Sequence, residues 1–445
     1  MNKLKNMSEG NFLKCLFAVV ALFFLSAACF MPDRANMISG LWQIMSQPSK
    51  LTCSYFALGG YAATFLNMGL VCTICLGFFV VFKGTPNNAS TLAVILTTGF
   101  GSWGINILNL WPSVFGVWLY CLVKKEKFGA NVNAMLFSTG IAPLLTDLMI
   151  RYPNAEVVGF NLTGILLSLL VGAIIGFFLP AGLAFSPKVH KGFDLYSAAL
   201  PVGMTAFFLN GALYKTMGVN LPAGAPTEQL SIVSPVIINT FCILLFSTCI
   251  VVAFAMGCKP KDYWRLLMDP DLVTNFSSTY GNATFLMNMG CFGLFILGYY
   301  NLIGASFNGV TFGIIFCMLC TCNSGSHPNN VWPIMLGYFL ASTIFGWIAP
   351  FFGGNFTFQL NAQAICVGLC YANGLSPIAD KYGWKYGTLA AMLHYILVTS
   401  VPNMHGGFCL YNGGFTAALI CMILVPELER FTHTKDERKA LKAAK

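Results

Sequence analysis

The chain has 445 residues, 57% of them apolar and only 9% Asp, Glu, Lys or Arg, with a mean hydropathy of +0.72. A soluble domain carries about 25% charged residues, so the composition excludes a soluble enzyme, and the long unbroken apolar runs exclude an alternating transmembrane β-barrel. The formal charge of +9 fits basic loops at a cytoplasmic membrane face better than nucleic-acid binding. The expected fold class is an all-α polytopic membrane protein, because helices satisfy their own backbone hydrogen bonds in lipid. The 17 cysteines lie mostly inside apolar runs, where a free thiol behaves as a small hydrophobe, and no disulfide framework is expected.

At the start, Lys3 and Lys5 precede an apolar stretch from Phe12 to Phe30 with small residues at Ser26–Ala28, the pattern of a secretory signal. A second apolar run over 232–256 occupies the corresponding place later in the chain. A signal peptide has no reason to be duplicated mid-chain, so a retained helix is expected.

The chain then repeats itself. WQIMSQPSKLT from Trp42 matches WRLLMDPDLVT from Trp264, with Pro48 on Pro270 and Thr52 on Thr274. TFLNMG ending at Gly69 matches TFLMNMG ending at Gly290. At the offset that puts Gly69 on Gly290, Asn109, Trp111-Pro112 and Gly116 fall on Asn330, Trp332-Pro333 and Gly337. STGIAP (138–143) matches ANGLSP (372–377), and HKGFDLYSAAL (190–200) matches HGGFCLYNGGF (405–415). Five blocks in one order predict a first transmembrane repeat over 1–215, a linker over 216–229, a second repeat over 230–430 and a charged cytoplasmic tail over 431–445.

Charge placement predicts that the repeats are inverted. Lys124, Lys125 and Lys127 sit in a loop whose counterpart, 353–361, has no charge, and no charged residue occurs between Leu272 and Ala379. Unlike charge at equivalent loops implies opposite membrane faces. Both termini are then cytoplasmic and the chain is a multi-pass protein of the cell (inner) membrane. Four apolar segments, Thr52–Leu66, Ala89–Phe100, Leu136–Leu145 and Ile365–Leu375, are too short for about 30 Å of hydrocarbon. Short, interrupted segments at matching places of two halves point to a substrate path between them.

Several residues carry candidate chemistry. The polar run TCNSGSHPNN (321–330) reads either as an interfacial loop or as a re-entrant turn. His190 and His405 share one slot of the last block, and histidine alone titrates near neutrality unperturbed. Asp147 and Asp380 follow Pro143 and Pro377 at nearly matched spacing, which makes them helix-end carboxylates or buried coupling sites. Asp194 has only Cys409 opposite it, which argues against an indispensable symmetric acid. Cys72/Cys75 and the 317–322 cysteines have metal-like spacing but no histidine partner, and neither metal nor cofactor is expected. No catalytic motif is present, and the chain is not expected to be an enzyme.

Two stretches of the second half carry a family resemblance. ATFLMNMGCFGLF (283–295) and GLCYANGLSPIA (368–379) resemble the two half-helix motifs of the urea transporter family, with Ala283 standing where that family has a filter-lining Gln. The sequence also resembles a bacterial family of uncharacterised polytopic membrane proteins. The first resemblance implies an inverted two-fold scaffold with short re-entrant or broken helices around a path for a small neutral solute.

The expected function is a channel or facilitative transporter for a small polar, uncharged, urea-like solute. Its path would be lined by Asn67, Asn288, Gly140, Asn373 and Gly374, with Phe65 and Phe285 as an aromatic constriction. Two alternatives stay open: a proton- or ion-coupled transporter using His190, His405, Asp147 or Asp380, and an intramembrane enzyme acting on a lipid. The expected partners are the solute and the bilayer, with no nucleic acid. Glycine-rich faces suit a homo-oligomer as well as a monomer.

Overall fold

A computed structural model describes residues 2–50, 53–222, 233–268 and 274–444. Positions 223–229 of the expected linker, together with Thr52, Pro270 and Leu272, lie outside the described residues. Among the described residues every regular element is helical. Seven helical stretches there are long and apolar enough to cross a membrane, so this is a helical membrane protein.

Helix α1 (Glu9–Phe30) buries Phe12, Leu13, Phe17, Val20, Phe24 and Ala28 and packs along α3 (Tyr55–Val81), and α2 (Met37–Ser46) packs on the first part of α3 through Gly40 and Gly59. The N-terminal apolar run is thus part of the core. Next come α4 (Asn88–Gly99), α5 (Trp111–Lys124), α6 (Val132–Ser138), α7 (Ala142–Ile150), α8 (Leu162–His190) and α9 (Ala199–Asn210). The remainder runs through α10 (Pro235–Ala255), α11 (Pro260–Leu267), α12 (Asn282–Leu302), α13 (Gly309–Leu319), α14 (Pro328–Ile348), α15 (Gln363–Ala372), α16 (Ser376–Tyr382), α17 (Trp384–Val398), α18 (Asn412–Phe431) and α19 (Lys435–Ala443).

Packing partners recur along the chain. Helix α1 lies on α3 as α10 lies on α12, and α5 lies on α8 as α14 lies on α17. Backbone breaks recur too. Gly60 (φ +82°) interrupts α3, and Gly281 (φ +84°), at the offset that relates Asn109 to Asn330, precedes α12. Left-handed positions at Lys83, Gly104, Lys191 and Gly192 have counterparts at Gly304, Gly325, Gly406 and Gly407.

Three of the four segments expected to be short belong to longer stretches. Thr52–Leu66 runs into α3, whose 27 residues are interrupted only at Gly60. Leu136–Leu145 lies inside the helical stretch Val132–Ile150, where a single 3-10 turn joins α6 to α7. Breaks at membrane depth here re-aim a helix without ending it. Ile365–Leu375 likewise lies inside a continuous helical run, where a single 3-10 turn joins α15 to α16, and the segment Ala89–Phe100, which is α4, stays far shorter than a span.

Helices α4 and α13 are the half-length elements of the centre, and they pack against each other. Asn87 and Asn308 cap their first turns with matching capping boxes, closed by Ser90 and Thr311. Such caps contribute about 0.5–2 kcal/mol each. The helices cross glycine against glycine: a Cβ on Gly99 would meet the Gly313 carbonyl at 2.7 Å, and one on Gly313 would meet the Gly99 carbonyl at 2.5 Å. Only two bare Cα atoms permit this backbone approach. Beside the crossing, Phe24, Phe65, Phe241, Phe312 and Phe316 form one aromatic cluster with ring centroids 4.8–6.4 Å apart.

Candidate functional site

The chain leaving each half-length helix makes a buried turn whose carbonyls need donors. Asn67 on α3 supplies Nδ2 to the carbonyls of Gly101 (2.7 Å) and Ile105 (2.9 Å). Asn288 on α12 does the same for Cys322 (2.9 Å) and Ser326 (3.0 Å). One constant offset carries Asn67, Gly101 and Ile105 onto Asn288, Cys322 and Ser326. Irregular backbone at membrane depth survives only where protein satisfies it, and these two amides provide that satisfaction. The run 321–327 is accordingly buried, with Asn323 reaching Thr91 Oγ1 across the halves at 3.2 Å. Phe65 is locked in the aromatic cluster, and Phe285 packs edge-on against Phe12 at 6.3 Å.

Three fully buried tyrosines surround Gly140, Asn373 and Gly374. Tyr196 Oη donates to the carbonyls of Cys317 (2.8 Å) and Cys370 (3.1 Å), its ring 5.0 Å from that of Tyr371. Tyr371 Oη donates to the Leu410 carbonyl at 2.7 Å. Asn373 Nδ2 donates to Thr321 Oγ1 (2.7 Å) and the Met318 carbonyl (3.2 Å). A Cβ on Gly140 would stand 2.7 Å from the Tyr411 ring, and one on Gly374 would stand 2.6 Å from the Tyr196 ring. The backbone is therefore pressed flat against each ring.

Two cavities flank this layer. The first, about 530 Å3, includes Trp103, Val367, Val398, Pro402, Gly407 and Asn412 in its wall. The second, about 400 Å3, includes Ser324, Asn133, Leu183, Pro187, Gly192 and Ser197. Taken in order, the six positions of one wall are the repeat counterparts of the six in the other. Trp103 pairs with Ser324 at the offset of Asn109 and Asn330, and Asn133 pairs with Val367 at the offset of Gly140 and Gly374. The other four pairs share the offset of His190 and His405. Packed protein connects the two cavities: Ser197 adjoins Tyr196, which touches Tyr371, which bonds to Leu410, close in sequence to Asn412. Of the residues expected on the path, none of Phe65, Asn67, Gly140, Phe285, Asn288, Asn373 and Gly374 lines either cavity.

The first cavity is basic. Lys50, in the connection between α2 and α3, is 6% exposed; its Nζ donates to the Pro222 carbonyl at 2.7 Å and lies 4.7 Å over the Phe408 ring. Burial pulls its ammonium from the ordinary lysine value down to about 8, with Asp147 opposing that shift. Asp147 itself is ion-paired with Arg151 and accepts from Tyr214 Oη at 3.0 Å, and Tyr214 stacks on Phe408 at 5.5 Å. Lys215 also lines this cavity.

The second cavity is different. His190 lines it, with Nε2 2.9 Å from Ser197 Oγ. Asp194 lines it as well, 2% exposed; one carboxylate oxygen accepts from the Tyr196 N–H at 2.9 Å, and the other has no partner among the described residues. A buried carboxylate oxygen without a protein partner suits a proton, a cation or a water in the cavity. His405, the sequence counterpart of His190, is buried edge-on to Phe415 at 5.2 Å and lines neither cavity.

The nearly matched spacing of Asp147 and Asp380 is one residue out of register. Asn109 Nδ2 donates to Thr146 Oγ1 (2.9 Å), and its counterpart Asn330 donates to Asp380 Oδ2 (2.6 Å), so Thr146 holds the place equivalent to Asp380. Asp147 lies one residue further along, and its side chain pairs with Arg151.

The family model described as Protein of unknown function (DUF1576) matches residues 33–215 and 259–430. The chain belongs to the DUF1576 family. No curated protein and no solved structure matches it, and the urea transporter resemblance gains no support from these comparisons. In this DUF1576 chain the two matched stretches fall on either side of residues 216–258.

Sequence reasoning missed Lys50, Asp194 and the three tyrosines. Lys50 lies in plain view inside the first repeated block, where only its neighbours mark the repeat. Asp194 enters the sequence reading only for its lack of a symmetric acid, which says nothing of its place in a cavity wall. No sequence signal separates Tyr196, Tyr371 and Tyr411 from ordinary packing aromatics.

Proposed function

We propose that this DUF1576 protein is a membrane transporter carrying a small polar solute between its two cavities by alternating access. On this reading the chain is an inverted duplication, and the pseudo-two-fold relation puts the cavities on opposite membrane faces. The observation that carries the reading is the correspondence of six positions in one cavity wall with six in the other, with a packed tyrosine layer between them. Matching helix caps, asparagine donors and left-handed backbone positions support the duplication. A sealed layer between two half-open cavities suits a carrier better than an open pore, because solute can advance only if the contacts among Tyr196, Tyr371 and Leu410 rearrange.

Uptake into proteoliposomes tests this. A carrier gives saturable flux far below channel rates and exchanges labelled for unlabelled solute. Flux that stays linear in solute concentration would contradict it.

A second reading, proton coupling, is favoured by the unpaired oxygen of Asp194 beside His190 in only one of the two cavities. An imposed pH gradient then drives accumulation.

A further inference from the structure

We propose that the larger cavity is a binding site for a small organic monocarboxylate, with the Lys50 ammonium taking its charged end and an aliphatic wall taking its body. The proposal deepens the transporter reading by naming a substrate class, and it rests on that reading for translocation but not for binding.

The charge balance is the first argument. Among the described residues lining the cavity, Lys50 and Lys215 are cations and none is acidic. The nearest carboxylate described, Asp147, is already held by Arg151 and Tyr214. Lys50 uses one N–H on the Pro222 carbonyl, and among the described residues no ion pair neutralises it. A buried cation without a counter-charge is costly unless a ligand supplies one.

Neutral donors are oriented the same way. Asn308 Oδ1 accepts the N–H groups of Val310 (2.9 Å) and Thr311 (3.0 Å), which turns its Nδ2 toward Gln363 Oε1 at 2.7 Å. Gln363 lines the cavity, and with its oxygen turned to Asn308 its NH2 group is the donor it can offer a ligand. The N-terminus of α13 begins one residue past Asn308, and its dipole adds positive potential on this side. Two cations, a donor amide and a helix N-terminus suit an anion.

The wall selects which anion. Leu221, Val367, Val398 and Pro402 give the cavity an aliphatic side that hydrates poorly. A phosphate or sulfate would lose its water there without replacement, whereas a carboxylate with a short alkyl body fills both parts. The volume of about 530 Å3 is of the size that takes small organic ligands.

The test is equilibrium binding to the purified full chain in lipid nanodiscs, read by calorimetry and by tryptophan fluorescence. The probes are butyrate, butyramide, butylammonium and inorganic phosphate. Butyrate should bind saturably and at least about tenfold more tightly than butyramide, a charge difference worth one charge-assisted hydrogen bond. Butylammonium and phosphate should not compete with it. Lys50→Met should lose that preference and bind butyrate no better than butyramide, while Lys50→Arg keeps it. Equal affinity for butyrate and butyramide, or stronger binding of phosphate, overturns the proposal on the unmodified protein, whatever the variants do. Butyrate binding without any flux in proteoliposomes would leave this site standing and remove the transporter reading. Saturable flux of neutral solutes without butyrate binding would do the reverse.

Discussion

The backbone N–H of Leu195 donates to the carbonyl of Gly374 at 3.0 Å, and the N–H of Leu410 donates to the carbonyl of Gly140 at 2.9 Å. Leu195 and Leu410 hold the same slot of one repeated block, and Gly140 and Gly374 hold the same slot of another. Each bond joins an element of one half to the broken helix of the other. The two bonds exchange partners, as two copies related by a pseudo-two-fold axis would, and they hold the tyrosine layer against the glycines. Movement of one half over the other must break or slide both.

Replacing Gly374 with Ala puts a methyl group 2.6 Å from the Tyr196 ring. Overpacking of a tight core costs about 1–3 kcal/mol, so thermal unfolding in detergent should show a lowered midpoint. Transport should fall more than tenfold. An unchanged midpoint would mean that the ring turns aside freely.

Asn288→Leu leaves the carbonyls of Cys322 and Ser326 without their buried donor. At about 1–3 kcal/mol for each orphaned group, the variant should express poorly or melt well below the parent. Asn67→Leu should behave alike through Gly101 and Ile105. Full stability with selective loss of flux would instead return these asparagines to the solute path.

The Lys50 charge sets a pH dependence. Burial brings its ammonium down to about 8, so it is protonated below that value and neutral above it. Carboxylate binding needs the protonated form and should be constant below about pH 7. Above about pH 8, affinity should fall about tenfold per unit, the slope of one linked proton. Calorimetric titrations from pH 6 to pH 10 check the sign, and affinity that rises with pH would contradict the role given to Lys50.

Asp194→Asn keeps the side chain's shape and removes its titration. On the coupled reading the variant should still exchange solute across proteoliposomes at equal pH but no longer concentrate it against a pH gradient. Accumulation equal to that of the unmodified protein would remove Asp194 from coupling.

Composition and periodicity make the membrane-helical class legible, because a shortage of charge admits few alternatives in a chain of this size. Spacing alone also brings together Asn67 with Asn288 and Asn109 with Asn330. It cannot tell what the amides do. An asparagine facing a solute and one satisfying a buried turn look the same until the carbonyls of Gly101 and Cys322 are located. Symmetry does not single out Asp194, which has only Cys409 opposite it in the repeat; its unpaired carboxylate oxygen in the second cavity shows only in the fold. Lys50 is hidden for a related reason, since its surroundings, Pro222, Phe408 and Asp147, come from three distant parts of the chain.

The central claim is that the two matched cavities open to opposite sides of the membrane. Asn403 in the first and Asn133 in the second are cavity-lining residues that reach the surface or its margin. With the exposed Cys15 and Cys29 replaced by Ser, Asn403→Cys and Asn133→Cys can each be challenged with a membrane-impermeant thiol reagent from either side of sealed, oriented vesicles. The account predicts labelling of one from outside only and of the other from inside only. Labelling of both from the same side would contradict it.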